Sequence, residues 1–202
     1  MLKKFLCLAA VFAMSVQGAD LPGGNLRSAE KLPANTYELL VSPSYVMADG
    51  GAYLTSELRY QPFDSLGVGF GFGAGELGFN FGFNSVWFVV PPQTLDVDLA
   101  LVGGIYFNRV NDQSFFVVRA TPTVSQTYFT SWGQITPYFG WNLAPSFRLG
   151  QASNLFSMRA NVGIQTLLQS FDGLRLLLEA GINVLNNNDQ VSVGISYPFQ
   201  AI

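Results

Sequence analysis

Between Leu66 and Phe83 the chain alternates large and minimal side chains with a strict period of two. Leu66, Val68, Phe70 and Phe72 alternate with Gly67, Gly69, Gly71 and Gly73. After Gly75-Glu76, Leu77, Phe79, Phe81 and Phe83 alternate with Gly78, Asn80, Gly82 and Asn84. Such alternation puts one class of side chain on each face of a strand, and so many glycines make a poor helix. The segment therefore reads as two strands and a tight turn, with one face of large apolar groups and the other almost bare.

The same rhythm runs through the chain from Thr36 onward. Leu95, Val97, Leu99, Leu101 and Ile105 share a face, with Asp96 and Asp98 opposite. Ile135, Pro137, Phe139, Trp141, Leu143, Pro145, Phe147 and Leu149 oppose Thr136, Tyr138, Asn142, Ser146 and Arg148. Phe156, Met158, Ala160, Val162 and Ile164 oppose Ser157, Arg159, Asn161 and Gln165, and Leu174, Leu176, Leu178, Ala180 and Ile182 oppose Arg175, Glu179 and Asn183. Turn residues punctuate these runs at Asp49-Gly50-Gly51, Asp64-Ser65, Gly75-Glu76, Pro91-Pro92-Gln93, Asn111-Asp112, Ser131-Trp132-Gly133, Ala152-Ser153-Asn154, Asp172-Gly173 and Asn186 to Asp189. The expectation is an all-β chain of about ten strands, eight being the alternative, closed as an antiparallel up-and-down barrel. An even count brings both termini to one side, and most runs exceed the roughly 9–11 residues that a tilted strand needs to cross hydrocarbon.

Alternation alone does not say which face meets water. Composition bears on that choice. Only 11% of residues are charged while 49% are hydrophobic; a soluble domain carries about 25% charge. The polar face is mostly Gly, Asn, Ser and Thr, and beyond residue 19 the only lysine is Lys31. A sheet facing water normally carries more Lys and Glu, in part to suppress edge pairing. An apolar face turned to lipid and a small polar face turned to a narrow lumen fit better. Tyr37, Tyr60, Trp87, Tyr106, Tyr128, Trp132 and Tyr197 lie near expected strand ends, where interfacial aromatic girdles form.

Residues 1–19 read as a secretory signal: basic Lys3-Lys4, a short apolar run from Phe5 to Val16, then small residues at Gly18-Ala19. Cys7, the only cysteine, lies within it, so the mature protein is expected to lack disulfides and cysteine metal sites. Residues 20–35 form a polar arm, read as a mobile terminus, with a partial plug of the barrel as the alternative. Residues 36–202 form the barrel. A net charge of −3 with scattered arginines gives no nucleic-acid footprint.

The signal, the strand rhythm and the last strand, in which Val191, Val193, Ile195, Tyr197 and Phe199 alternate, together resemble the small outer-membrane β-barrel proteins of Gram-negative bacteria. The resemblance implies an outer-membrane location, contact with its lipid, and engagement of barrel-insertion machinery through the C-terminal strand. That family usually ends on the aromatic residue, whereas here Gln200-Ala201-Ile202 follow Phe199.

Ten charged residues fall on the expected inward face: Glu38, Glu57, Arg59, Asp96, Asp98, Arg119, Arg148, Arg159, Arg175 and Glu179. Charges inside a narrow barrel should pair, because an isolated buried charge is costly. The alternative is a charged constriction that selects solutes. Gly67, Gly69, Gly71 and Gly73 either hold the lumen open or make room for large neighbouring side chains. Asp96 and Asp98 could share a proton as paired carboxylates do. However, the chain contains no histidine, so the His-dependent protease and lipase mechanisms of such barrels have no base here. No enzyme, cofactor or metal is expected. The function read from sequence is an integral outer-membrane protein, either structural or a narrow passive channel. The alternatives are a soluble periplasmic barrel holding an apolar ligand, and an envelope interaction protein.

Overall fold

The computed structural model describes residues 27–47, 51–89, 96–150, 154–171 and 173–200. The expected signal, the first part of the arm and the turn at Pro91-Pro92-Gln93 lie outside the described residues, as do parts of the turns at Asp49-Gly50, Ala152-Ser153 and Asp172. The strands are β1 (Thr36–Val46), β2 (Gly51–Phe63), β3 (Leu66–Gly75), β4 (Gly78–Val89), β5 (Asp98–Val110), β6 (Gln113–Ser125), β7 (Tyr128–Thr130), β8 (Gly133–Arg148), β9 (Asn154–Leu168), β10 (Arg175–Leu185) and β11 (Gln190–Gln200). Each pairs antiparallel with its chain neighbour; β1 pairs with β11, and β6 bypasses the three-residue β7 to pair with β8. Ten long strands thus close into a barrel, and β7 adds a short hairpin against the start of β8. The strand expected from Leu95 starts at Asp98.

Local chemistry sets the turns. Asn111 and Asp112 take φ values of 46° and 63° between the paired residues Val110 and Gln113, the left-handed pair that a two-residue hairpin requires and that Asn and Asp tolerate. Asp64-Ser65 and Glu76-Leu77 also close hairpins, flanked by the pairs Phe63–Leu66 and Gly75–Gly78.

The register defines the barrel's shape. A perpendicular path from Thr36 passes through Gln61, Gly67, Val86, Val102, Thr121, Asn142, Arg159 and Asn183. Carried across β11, it returns to β1 about 12 residues further along. For ten strands that stagger corresponds to a tilt of about 40° and a backbone diameter of about 19 Å, which side chains can fill.

Burial alternates along nearly every strand. The outward positions are apolar: Leu39, Val41, Leu54, Leu58, Phe70, Phe72, Phe81, Phe83, Ile105, Phe139, Val162, Leu178, Val193 and Ile195 are all exposed. Among the described strand residues, every charged side chain except Arg109 lies on the inward face. Six of the seven expected girdle residues lie at one end. Tyr37, Tyr60, Trp87, Tyr128, Trp132 and Tyr197 ring the end that carries the termini, and Tyr37 stacks on Tyr60 and Phe199 across β1 with centroids 4.6 and 5.6 Å apart. Tyr106, expected in that girdle, is buried inside the barrel instead; an even position on β5 faces the lumen whatever its side chain.

Candidate functional site

The lumen is filled in three layers. At the terminal end lies a layer of charge. Glu38 on β1 faces Arg59 on β2 in register; Arg59 Nη2 is 2.8 Å from its Oε2, Arg175 Nη1 is 3.2 Å from its Oε1, and Ser196 Oγ donates to Oε1 at 2.9 Å. One carboxylate therefore serves two buried guanidiniums and a hydroxyl. All three ionic groups are almost fully buried, so the layer depends on pairing to offset desolvation.

The arm completes this layer. Arg27, Ser28, Ala29 and Leu32 are buried in the barrel. Arg27 pairs with Glu57. Ser28 Oγ donates to Gln165 Oε1 at 3.2 Å, and the Ala29 N–H donates to Ser125 Oγ at 3.1 Å. Glu30 accepts from Arg175 Nη2 at 3.1 Å and from Gln165 Nε2. Ala29 packs against Val86, Phe88, Ala100 and Val102. Burial pushes the Glu30 carboxyl above its usual range, with Arg175 pulling the other way. Arg27, Ser28, Ala29, Glu30 and Leu32 are thus held against the inward face, tied to β2, β6, β9 and β10, while Lys31 is exposed. Their charges complement inward residues that the strands alone leave short of partners: Glu57 gains Arg27, and Arg175 gains a second carboxylate.

The middle layer is polar. Tyr138 Oη donates to Glu179 Oε2 at 3.1 Å. The Arg119 guanidinium lies 4.3 Å from the centre of the Tyr106 ring, a cation–π contact. Arg159 donates to Asn161 and Gln190, each at 3.0 Å, and Ser44 and Ser192 share a hydrogen bond of 2.7 Å. Glu57 Oε2, Arg59 Nη1 and both amide atoms of Asn84 are buried and have no hydrogen-bond partner among the described residues.

At the far end the inward face is apolar. Val46, Tyr53, Leu77, Tyr106, Val110, Phe115, Val117 and Ala144 form one buried cluster, with Leu155 against it. Leu77 belongs to the β3–β4 turn and folds inward as its lid.

The glycines of β3 face this filled interior. A Cβ on Gly73 would lie 2.6 Å from the Tyr53 ring and 2.7 Å from Asn80, and one on Gly67 would lie 2.9 Å from Gln61. A Cβ on Gly69 would meet Asn84 at 2.8 Å. These three make room for long side chains of the adjacent strands β2 and β4, whereas Gly71 has no atom nearer than 3.8 Å.

Of the ten charged residues singled out from sequence, Glu38, Glu57, Arg59, Arg119, Arg159, Arg175 and Glu179 are buried in the lumen. Asp98 and Arg148 lie half-buried at opposite ends of the inward face. Asp96 is a correction: it precedes β5, is exposed, and accepts a long 3.5 Å contact from Gln126. Because it lies outside the strand, the alternation that placed it beside Asp98 does not extend to it. Sequence reasoning missed Arg27, Glu30, Tyr138 and Leu77. The first two sit in a polar lead with no periodicity, and the last is a turn residue.

Charge inside and large apolar groups outside is the reverse of a soluble barrel. Fold and lumen together define a closed, inside-out barrel with an occupied interior. No known family profile matches the chain, and no curated protein matches it. Among solved structures, the chain is similar to a de novo designed transmembrane β-barrel at 15% identity (TM-score 0.43, covering 84% of this chain and 100% of that one). It is similar to an outer membrane channel from Pseudomonas putida F1 at 10% identity (TM-score 0.48, 89% and 100%). A third likeness is to the N-terminal β-barrel domain of Pseudomonas aeruginosa OprF at 10% identity (TM-score 0.36, 82% and 98%).

Proposed function

We propose that the chain is an integral outer-membrane barrel that acts as a closed structural element of the membrane rather than as a solute channel. The observation that carries this reading is the occupancy of the lumen along its length. The arm and its ion pairs fill the terminal end, polar side chains the middle, and the Leu77 cluster the far end. The outward apolar band supports a hydrocarbon surrounding, since a charge there would be costly. Export by residues 1–19 and recognition of β11 by insertion machinery belong to the same proposal. The soluble alternative would place an apolar ligand where the Glu38–Arg59–Arg175 layer lies.

The test is conductance in a planar bilayer. The folded protein should give no stable current steps. Sustained ohmic steps from the unaltered chain would refute a closed lumen and favour the channel.

A further inference from the structure

Residues 27–30 meet the barrel as a bound peptide would. Among the described residues, no main-chain hydrogen bond joins 27–34 to the sheet; the first is from the Asn35 N–H to the Gln61 carbonyl, at 2.7 Å. The ladder closes through β1 and β11 without the arm. Side chains of the barrel hold the segment instead, and each receives a different chemical group.

Glu57 on β2 takes the Arg27 guanidinium. Arg175 on β10 takes the Glu30 carboxylate at 3.1 Å, together with Gln165 of β9. β1 and β11 lie between β2 and β10, so the sheet sets the separation of these two charged receivers. Between them, Gln165 Oε1 accepts from Ser28 Oγ at 3.2 Å, and Ser125 Oγ of β6 accepts from the Ala29 N–H at 3.1 Å. Ala29 is fully buried against Val86, Phe88, Ala100 and Val102 of β4 and β5, so the wall behind it favours a small side chain. The segment is gripped from two sides of the barrel, β4 to β6 on one and β9 to β10 on the other.

These receivers belong to the strands. With the arm withdrawn, Glu57 has no ion-pair partner among the described residues, and Arg175 keeps only Glu38. A buried carboxylate without a cation is costly. The vacated face therefore favours a replacement with the same pattern of charge and size.

We infer that the inward face at the terminal end is a peptide-binding site that the chain fills with its own residues 27–30, and that an extended segment of a second protein, with arginine and glutamate three residues apart and small residues between them, takes the same place when the arm withdraws. The arm is then a tethered competitor. A short tether gives an effective concentration of the order of mM, so a free peptide enters easily only once the arm has lost its own charges. Exchange of one segment for another leaves the middle and far layers in place and does not open the barrel.

The probe is a capped, dye-labelled peptide with the sequence of residues 27–33, Arg-Ser-Ala-Glu-Lys-Leu-Pro. Its fluorescence anisotropy is titrated with the folded full chain in detergent micelles. A chain carrying R27Q and E30Q should bind the peptide at least tenfold more tightly than the unaltered chain does, and E57Q added to that pair should cancel the gain. A peptide with glutamine at both the arginine and the glutamate positions should bind neither chain. Equal affinity of the unaltered and R27Q/E30Q chains, or undiminished binding of the doubly substituted peptide, overturns the inference. The same exchange is read without any substitution in the protein. Excess unlabelled peptide should abolish hydrogen-exchange protection of the Ala29 amide in the unaltered chain, and protection that survives saturating peptide overturns the inference. An Ala29 amide that exchanges freely before peptide is added overturns the docked arm itself, and with it the filled terminal end of the lumen.

Discussion

Replacing Glu38 with Met should destabilise the barrel far more than replacing Glu38 and Arg59 together. Glu38 is the hub of the charge layer: it balances Arg59 at 2.8 Å and Arg175 at 3.2 Å and accepts from Ser196 at 2.9 Å. Without it, Arg59 is left buried without an ion-pair partner among the described residues, and Arg175 keeps only Glu30. Removing one partner of a buried pair costs about 3–5 kcal/mol, or more than a hundredfold in the folding equilibrium. The double variant E38M/R59M removes an opposite charge with the first and fills the space with apolar atoms. Its cost should be smaller than that of E38M by about 1–3 kcal/mol, a clear coupling energy. The assay is urea unfolding in lipid vesicles, followed by tryptophan fluorescence and by the shift in gel migration between folded and heated protein. A cost for E38M below about 1 kcal/mol, or strictly additive effects, would mean that these groups are solvated in open water and that the filled lumen is wrong.

Gly73→Leu should destabilise strongly or block refolding, because its first carbon already meets Tyr53 at 2.6 Å, whereas Gly71→Ala, with nothing nearer than 3.8 Å, should stay within about 0.5 kcal/mol of the original; parallel urea titrations compare them. Arm docking should weaken as pH rises. The docked Glu30 holds its proton more tightly than a released one, so docking is favoured below the ordinary carboxylate range and loses strength up to the raised value. Protection of the Ala29 amide, corrected for intrinsic exchange, should fall as pH rises above the ordinary carboxylate range and become flat in E30Q. Leu77→Ser combined with Phe115→Ser should loosen the far-end cap, and deleting residues 27–32 as well should be needed before a bilayer shows current steps; current from either change alone would place the block at one layer only.

The barrel was legible in the sequence because its signal is local and repeated. The Phe/Gly alternation of Leu66 to Phe83 fixes strand, face and turn within eighteen residues, and Asn111-Asp112 names its hairpin through residues that tolerate positive φ. The inward charges followed from the same period, and once β1 and β2 pair with Val46 opposite Gly51, Glu38 must face Arg59. The limits lay where period two stops carrying information. Arg27 and Glu30 belong to an arm without periodicity, and only the shape of the closed barrel says that they enter it. Leu77 continued the alternation as if it were a strand residue, but the turn at Glu76-Leu77 rotates it into the lumen. Asp96 was assigned a face by extending a strand two residues past its end.

The orientation of side chains across the wall is the central claim, and a cysteine scan of β4 tests it most directly, since the only native cysteine, Cys7, lies in the expected signal segment. Each position from Phe79 to Val86 would carry a fluorophore in turn, in vesicles containing chain-labelled quencher lipid. Labels at positions 79, 81, 83 and 85 should be quenched by the lipid and those at 80, 82, 84 and 86 should not. The opposite alternation, or no alternation, would contradict an inside-out barrel.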